Sequence, residues 1–172
     1  MAWADRFYRW SCGLNRAGIA VVLAMMVATT VLVLAEILLR NLFSTSTHMM
    51  AELVGYGVAA MTFLSLGYCF EHGVLIRMGM LLGPLGRFPT ARRTVEVILT
   101  IAAIATNLIV MRYFLLSLIR NYTRGYVSET TAQIPLWIPE FFVAVGLAIL
   151  LVHLVAYLFV LVFNTSAPIR DM

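Results

Sequence analysis

The chain has 172 residues, is 62% hydrophobic and only 12% charged, and takes its formal charge of +4 from arginine alone on the basic side, since it contains no lysine. That composition excludes an ordinary water-soluble domain, and the length suits a single membrane domain, residues 1–172. The arginines gather at the edges of apolar runs without forming a basic stripe interleaved with aromatics, which excludes nucleic-acid binding and points to topology and membrane lipids.

Four apolar runs follow one another: Gly18–Leu39, Leu53–Phe70, Val95–Leu118 and Ile138–Phe163, of 22, 18, 24 and 26 residues. A bilayer core about 30 Å thick takes about 20 helical residues, so each run is expected to cross, the second only just. Their continuity and the absence of period-two alternation favour helices over strands. The expected fold is therefore an all-α integral membrane protein, a four-transmembrane-helix bundle.

Ahead of the first run, Arg6, Arg9 and Arg16 imitate the start of a secretory leader. The run is longer than a signal-peptide core and lacks a small-residue cleavage site, so it is expected to remain as an anchor. Between the second and third runs, Glu71 to Pro89 is too broken by Gly83, Pro84, Gly86 and Pro89 to cross, yet too apolar for a solvated loop. An interfacial amphipathic segment along the inner membrane face is expected there. Before the fourth run, Thr123 to Pro139 forms the longest outer loop. Its Pro135 and Pro139 suit a helical first turn, and Trp137 suits the headgroup belt.

Orientation comes from the arginines flanking the runs. Arg6, Arg9, Arg16, Arg77, Arg87, Arg92, Arg93 and Arg170 fall on one side, and Arg40, Arg120 and Arg124 on the other, which is expected to place both termini in the cytoplasm. Of these, Arg77, Arg87, Arg92 and Arg93 are expected to meet inner-face lipid headgroups. Cys12 and Cys69 then lie on the reducing side as free thiols. Two cysteines make neither a disulfide framework nor a ligand cluster.

An ionisable side chain at the centre of a span costs at least about 2.5 to 3.5 kcal/mol, so each needs a partner or a route to the interface. Glu36 and Arg112 both lie roughly 26 Å from the inner ends of their runs, at a rise of about 1.5 Å per residue, and share one outer layer. Arg40 follows Glu36 by one helical turn, so Glu36 can pair with Arg40, with Arg112, or with both. Alternatively Arg112 snorkels outward. A proton relay would need further deep groups, and His153 is the only other one. His153 is expected to hydrogen-bond between helices. A haem held by two histidines would require a second at equal depth, which neither His48 nor His72 provides, so no cofactor is expected. Glu96 and Glu140 read as interface residues. The small-residue pairs Ala24 and Ala28, Gly55 and Ala59, and Ala144 and Ala148 are expected to admit close helix contacts. No phosphate loop, catalytic triad, metal-ligand spacing or nucleophile elbow is present, so no enzymatic activity is expected.

Several local patterns carry a resemblance. The first run ends in Glu36-Ile-Leu-Leu-Arg40-Asn41-Leu-Phe43, and Glu52 opens the second. The stretch Gly73-Val-Leu75-Ile76-Arg77-Met78-Gly79-Met80-Leu81 follows, and Gln133-Ile-Pro135-Leu-Trp137-Ile-Pro139 leads into the last run. In this order and spacing they resemble the DctQ-like small membrane subunit of tripartite ATP-independent periplasmic (TRAP) transporters. That family has an Arg-x-x-Phe exit, a Gly-x-His-Ile-Arg-Val-Asp-Leu-Leu segment and a Pro-x-Trp entry. Here Leu75 stands where the family has His, and Gly79 where it has Asp.

The resemblance implies a scaffold subunit in the inner membrane of a bacterium or archaeon. Its partner would be a large multi-span transport subunit carrying the substrate and sodium sites. A periplasmic binding protein would deliver a small organic anion such as a carboxylate, and Arg120 and Arg124 are candidates for docking it. The competing readings are a haem-binding membrane anchor of a respiratory oxidoreductase and a self-sufficient small transporter or channel.

Overall fold

The computed structural model describes residues 2–43, 50–72, 89–128 and 133–163. They form four helices: α1 (Ala2–Phe43), α2 (Met50–Glu71), α3 (Pro89–Arg124) and α4 (Trp137–Phe163). All four are long and apolar enough to cross a membrane. The segment expected along the inner face, with Arg77, Arg87 and the Gly73–Leu81 pattern, falls on positions 73–88 and lies outside the described residues.

The helices outrun the apolar runs that announce them. At about 1.5 Å per residue, α1 is roughly 63 Å long and α3 roughly 54 Å, well beyond a hydrocarbon core of about 30 Å. The extra turns of α1 precede Gly18 and carry Ser11, Cys12 and Asn15. Hydropathy marks the length that lipid covers, whereas the backbone continues as helix wherever its hydrogen bonds can run on.

α4 is the centre of the bundle, packing against α1, α2 and α3, while α1 and α2 also pack on each other. Most of the buried apolar side chains belong to it: Val143, Ala144, Leu147, Leu154, Ala156 and Leu161, joined by Ala60 and Leu64 of α2. Two glycines set the closest approaches. Gly146 of α4 lies against the α2 backbone, where a Cβ would meet the Phe63 carbonyl carbon at 2.5 Å and the Leu64 nitrogen at 2.8 Å. Gly67 of α2 faces α1, where a Cβ would collide with Asn15 Oδ1. Ala144 is buried as expected, but Ala24 and Ala28 are exposed and Gly55 faces open space. Spacing alone does not reveal which face of a uniformly apolar helix turns inward.

The C-terminal end of α3 closes with Gly125 in the left-handed region (φ 62°) and a Tyr126 N–H donating to the Asn121 carbonyl at 3.2 Å. This is the glycine-terminated helix end that satisfies otherwise orphaned carbonyls. The chain then folds back through a Val127–Pro135 bridge. The Ser128 N–H donates to Ile134 O at 2.9 Å and the Leu136 N–H to Tyr126 O at 3.1 Å. α4 starts at Trp137, with Pro139 in its first turn, where a missing N–H costs nothing. Trp137 packs edge-on against Tyr122 of α3, ring centroids 5.8 Å apart.

Candidate functional site

Polar side chains inside the bundle are concentrated at three levels. At the level where α2 ends, α1 contributes Ser11, Cys12 and Asn15, α2 contributes Glu71, and α4 contributes His153. Asn15 and His153 are 0% and 1% exposed, so both must be hydrogen-bonded to be tolerated. Asn15 Nδ2 lies 3.2 Å from Gly67 O, 2.9 Å from Glu71 Oε2 and 3.1 Å from His153 Nδ1. Ser11 Oγ is 2.8 Å from Tyr8 O and 3.1 Å from His153 Nδ1.

One placement of protons serves every contact of the set except that between Asn15 Nδ2 and His153 Nδ1, where two donors then meet. His153 Nδ1–H donates to Ser11 Oγ, the Ser11 hydroxyl donates to Tyr8 O, and Asn15 gives its two hydrogens to Gly67 O and Glu71. Tyr8 and Phe70 pack on the imidazole with ring centroids at 5.3 and 5.9 Å. The histidine thus joins helices, as the sequence leads one to expect. The same geometry brings ligand atoms of Cys12, Glu71 and His153 within 4.8 Å of one another. Sequence reading missed that convergence because the three residues lie on three different helices, with no local spacing to betray it.

Midway, Asn107 Nδ2 donates to Leu147 O at 3.4 Å, tying α3 to α4. At the level where α4 begins, Glu140 Oε1 accepts from Ser117 Oγ at 2.7 Å and from Asn121 Nδ2 at 2.8 Å. Glu140 is therefore more than an interface residue: it fastens the first turn of α4 to the last turns of α3. Arg120 and Arg124 are exposed beside it. Arg124 donates to the Tyr126 hydroxyl at 3.1 Å, and that hydrogen bond lowers the phenol pKa from its usual value.

Arg93, expected at the lipid headgroups, also has a protein role. Its Nε donates to Leu161 O at 3.0 Å, and its Nη2 donates to Leu161 O at 2.5 Å and to Val162 O at 3.2 Å. Carbonyls at a helix C-terminus lack intrahelical donors and carry the negative end of the dipole, so a guanidinium fork satisfies both needs. Arg92 lies one residue earlier in α3, its side chain outside the described residues.

Glu36 is buried, and its carboxylate lies 3.5 Å from Arg40, one turn along α1, in a groove lined also by Val33, Ile37, Asn41 and Met50. Arg112 is exposed on α3, and among the described residues no ion pair joins it to Glu36. The physical reason is the order of packing. Among the described residues α1 and α3 share no substantial interface: α1 packs on α2 and α4, and α3 on α4. The common depth of the two residues was readable from the sequence, but which helices are neighbours was not.

No curated relative and no solved structure matches the chain. A family model described as the DctQ component of tripartite ATP-independent periplasmic transporters matches residues 29–164, a stretch that takes in the C-terminal part of α1, from residue 29 on, and all of α2, α3 and α4. The chain therefore belongs to the DctQ family and is a TRAP transporter small subunit.

Proposed function

We propose that the chain is the scaffold of its transporter, holding a large transport subunit in the membrane without touching the substrate. The observation that carries this reading is the family match across residues 29–164. The family works with a large membrane subunit and a periplasmic binding protein. The interior agrees with a static role: Asn15, His153, Asn107 and Glu140 each bond one helix to another, and they do not line a polar route. By contrast, α1 presents Leu23, Met26, Val27, Val31, Leu34 and Leu38 outward, an apolar surface suited to lipid and to another membrane subunit.

On this reading the protein is a multi-pass inner-membrane subunit with both termini cytoplasmic. Arg77, Arg87 and Arg92 contact inner-face lipids, while Arg120 and Arg124 face the periplasm and dock the binding protein. The transported solute is a small organic anion such as a carboxylate, moved with sodium by the large subunit.

The test is affinity purification of the chain from its native membrane in mild detergent, with mass spectrometry and a visible spectrum of the eluate. A stoichiometric, colourless, many-span partner is the expected result. A chain recovered alone and active in liposomes, or a haem-coloured complex, refutes the scaffold reading. Arg120→Gln with Arg124→Gln is expected to weaken transport while leaving the membrane complex intact.

A further inference from the structure

We propose that Cys12, Glu71 and His153 form a binding site for a single divalent transition-metal ion of the zinc class at the inner end of the bundle. The three side chains come from α1, α2 and α4, and a sulfur, a carboxylate oxygen and an imidazole nitrogen lie within 4.8 Å of one another. Around a tetrahedral zinc ion, donor atoms stand about 3.3 to 3.8 Å apart, given bonds of about 2.0 to 2.3 Å. Binding therefore requires the ligand atoms to draw together by about 1 to 1.5 Å at most, a shift that falls to the Cys12 and Glu71 side chains.

The donor set selects the ion. Thiolate and imidazole favour zinc and its first-row neighbours, whereas sodium, magnesium and calcium require oxygen donors. Charge balance favours it as well. One negative charge from the thiolate and one from the carboxylate cancel the two positive charges of the cation, so the complex is neutral where a net charge would be costly.

The surroundings supply the orienting contacts that metal ligands use. Asn15 Nδ2 holds Glu71 Oε2 at 2.9 Å, which fixes the carboxylate and leaves its other oxygen to bind the ion. Ser11 Oγ, 3.1 Å from His153 Nδ1, fixes the ring, and in the tautomer that donates Nδ1–H to Ser11 the lone pair is on Nε2. Cys12 and Glu71 are partly exposed while His153 is buried, so the ion has a path in from the inner surface. Three protein ligands leave a fourth position for water. The site would cross-link the three helices by coordination as well as by hydrogen bonds.

The test uses the full-length chain in mild detergent, with any subunit that accompanies it, stripped by chelator and titrated with Co2+. The expected result is one Co2+ per chain, with thiolate-to-cobalt charge-transfer absorption in the near ultraviolet, the visible bands of a tetrahedral site, and displacement by Zn2+. Cys12→Ser abolishes the charge-transfer band. Glu71→Gln and His153→Gln weaken binding by about tenfold or more, and Cys69→Ser leaves the titration unchanged.

His153 is a packed position, so a second measurement uses the unaltered sequence: Zn2+ is expected to shield Cys12 from maleimide while Cys69 reacts as before, read by mass spectrometry. Absence of the charge-transfer band, its survival in Cys12→Ser, or equal alkylation of Cys12 with and without Zn2+ overturns the proposal.

Discussion

Replacing Gly146 by alanine tests whether α4 is the packing centre. The added Cβ would stand 2.5 Å from the Phe63 carbonyl carbon, 2.6 Å from its oxygen and 2.8 Å from the Leu64 nitrogen. All three are backbone atoms of α2, so no side-chain rotation relieves the clash. To restore ordinary contact at 3.4 Å, α2 and α4 must separate locally by roughly 0.9 Å. Inserting a methylene into a packed core costs about 1 to 3 kcal/mol, and a rigid backbone neighbour places this case near 3. That is roughly a hundredfold change in the folding equilibrium. The assay is thermal unfolding of the full chain in mild detergent, followed by tryptophan fluorescence, with Gly55→Ala as the control. A Cβ at Gly55 meets nothing within 4 Å, so that variant is expected to match the parent or exceed it slightly through better helix propensity. Equal melting of Gly146→Ala and Gly55→Ala would show that α2 and α4 are not packed as described.

Arg93→Gln is expected to fray the C-terminal end of α4, with faster amide exchange over residues 157–163 and a loss of about 1.5 to 3 kcal/mol, the range for hydrogen bonds to a charged group. Arg93→Lys, which keeps the charge but loses the fork, should fall between the two. Glu140→Ala leaves Asn121 and Ser117 without their acceptor and is expected to cost about 1 to 3 kcal/mol in detergent melts, whereas Glu140→Gln, which retains a carbonyl oxygen, costs less. Arg112→Gln is expected to leave the melting point unchanged, because its side chain is exposed and Glu36 pairs with Arg40. A clear drop would place Arg112 against Glu36 after all.

The number of helices, their order and the proline-marked entry to α4 were legible because each depends on a continuous local pattern: apolar length, a turn residue, a flanking arginine. His153 was legible as a helix-joining residue because a buried imidazole must find a partner. What could not be read was neighbourhood. Ala24 and Ala28 have the spacing of a contact face yet look outward, while Gly146, with no conspicuous partner at helical spacing, makes the tightest approach of any described glycine to the backbone of another helix. Cys12 is an ordinary free thiol in the sequence, and only the crossing of α1, α2 and α4 sets it beside Glu71 and His153. Arg93 shows the same limit: a charge at the end of a run indicates which side of the membrane it favours, but not that the carbonyls of Leu161 and Val162 lie within its reach.

The central place of α4 also sets the order of biogenesis. Following α1, α2 and α3 in chain order, it enters a membrane that already holds α1 and α2 side by side, and α3 with its main packing partner still missing. Until it arrives, Asn15 has no imidazole beside it, Asn107 and Asn121 lack their acceptors, and the Arg93 fork has no helix end to grip. Docking of α4 is therefore the step that joins the α1–α2 pair to α3. A nascent chain stopped short of Trp137 leaves Arg93, Asn107 and Asn121 of α3 without these partners, while Asn15 keeps its bonds to Gly67 and Glu71 of α2.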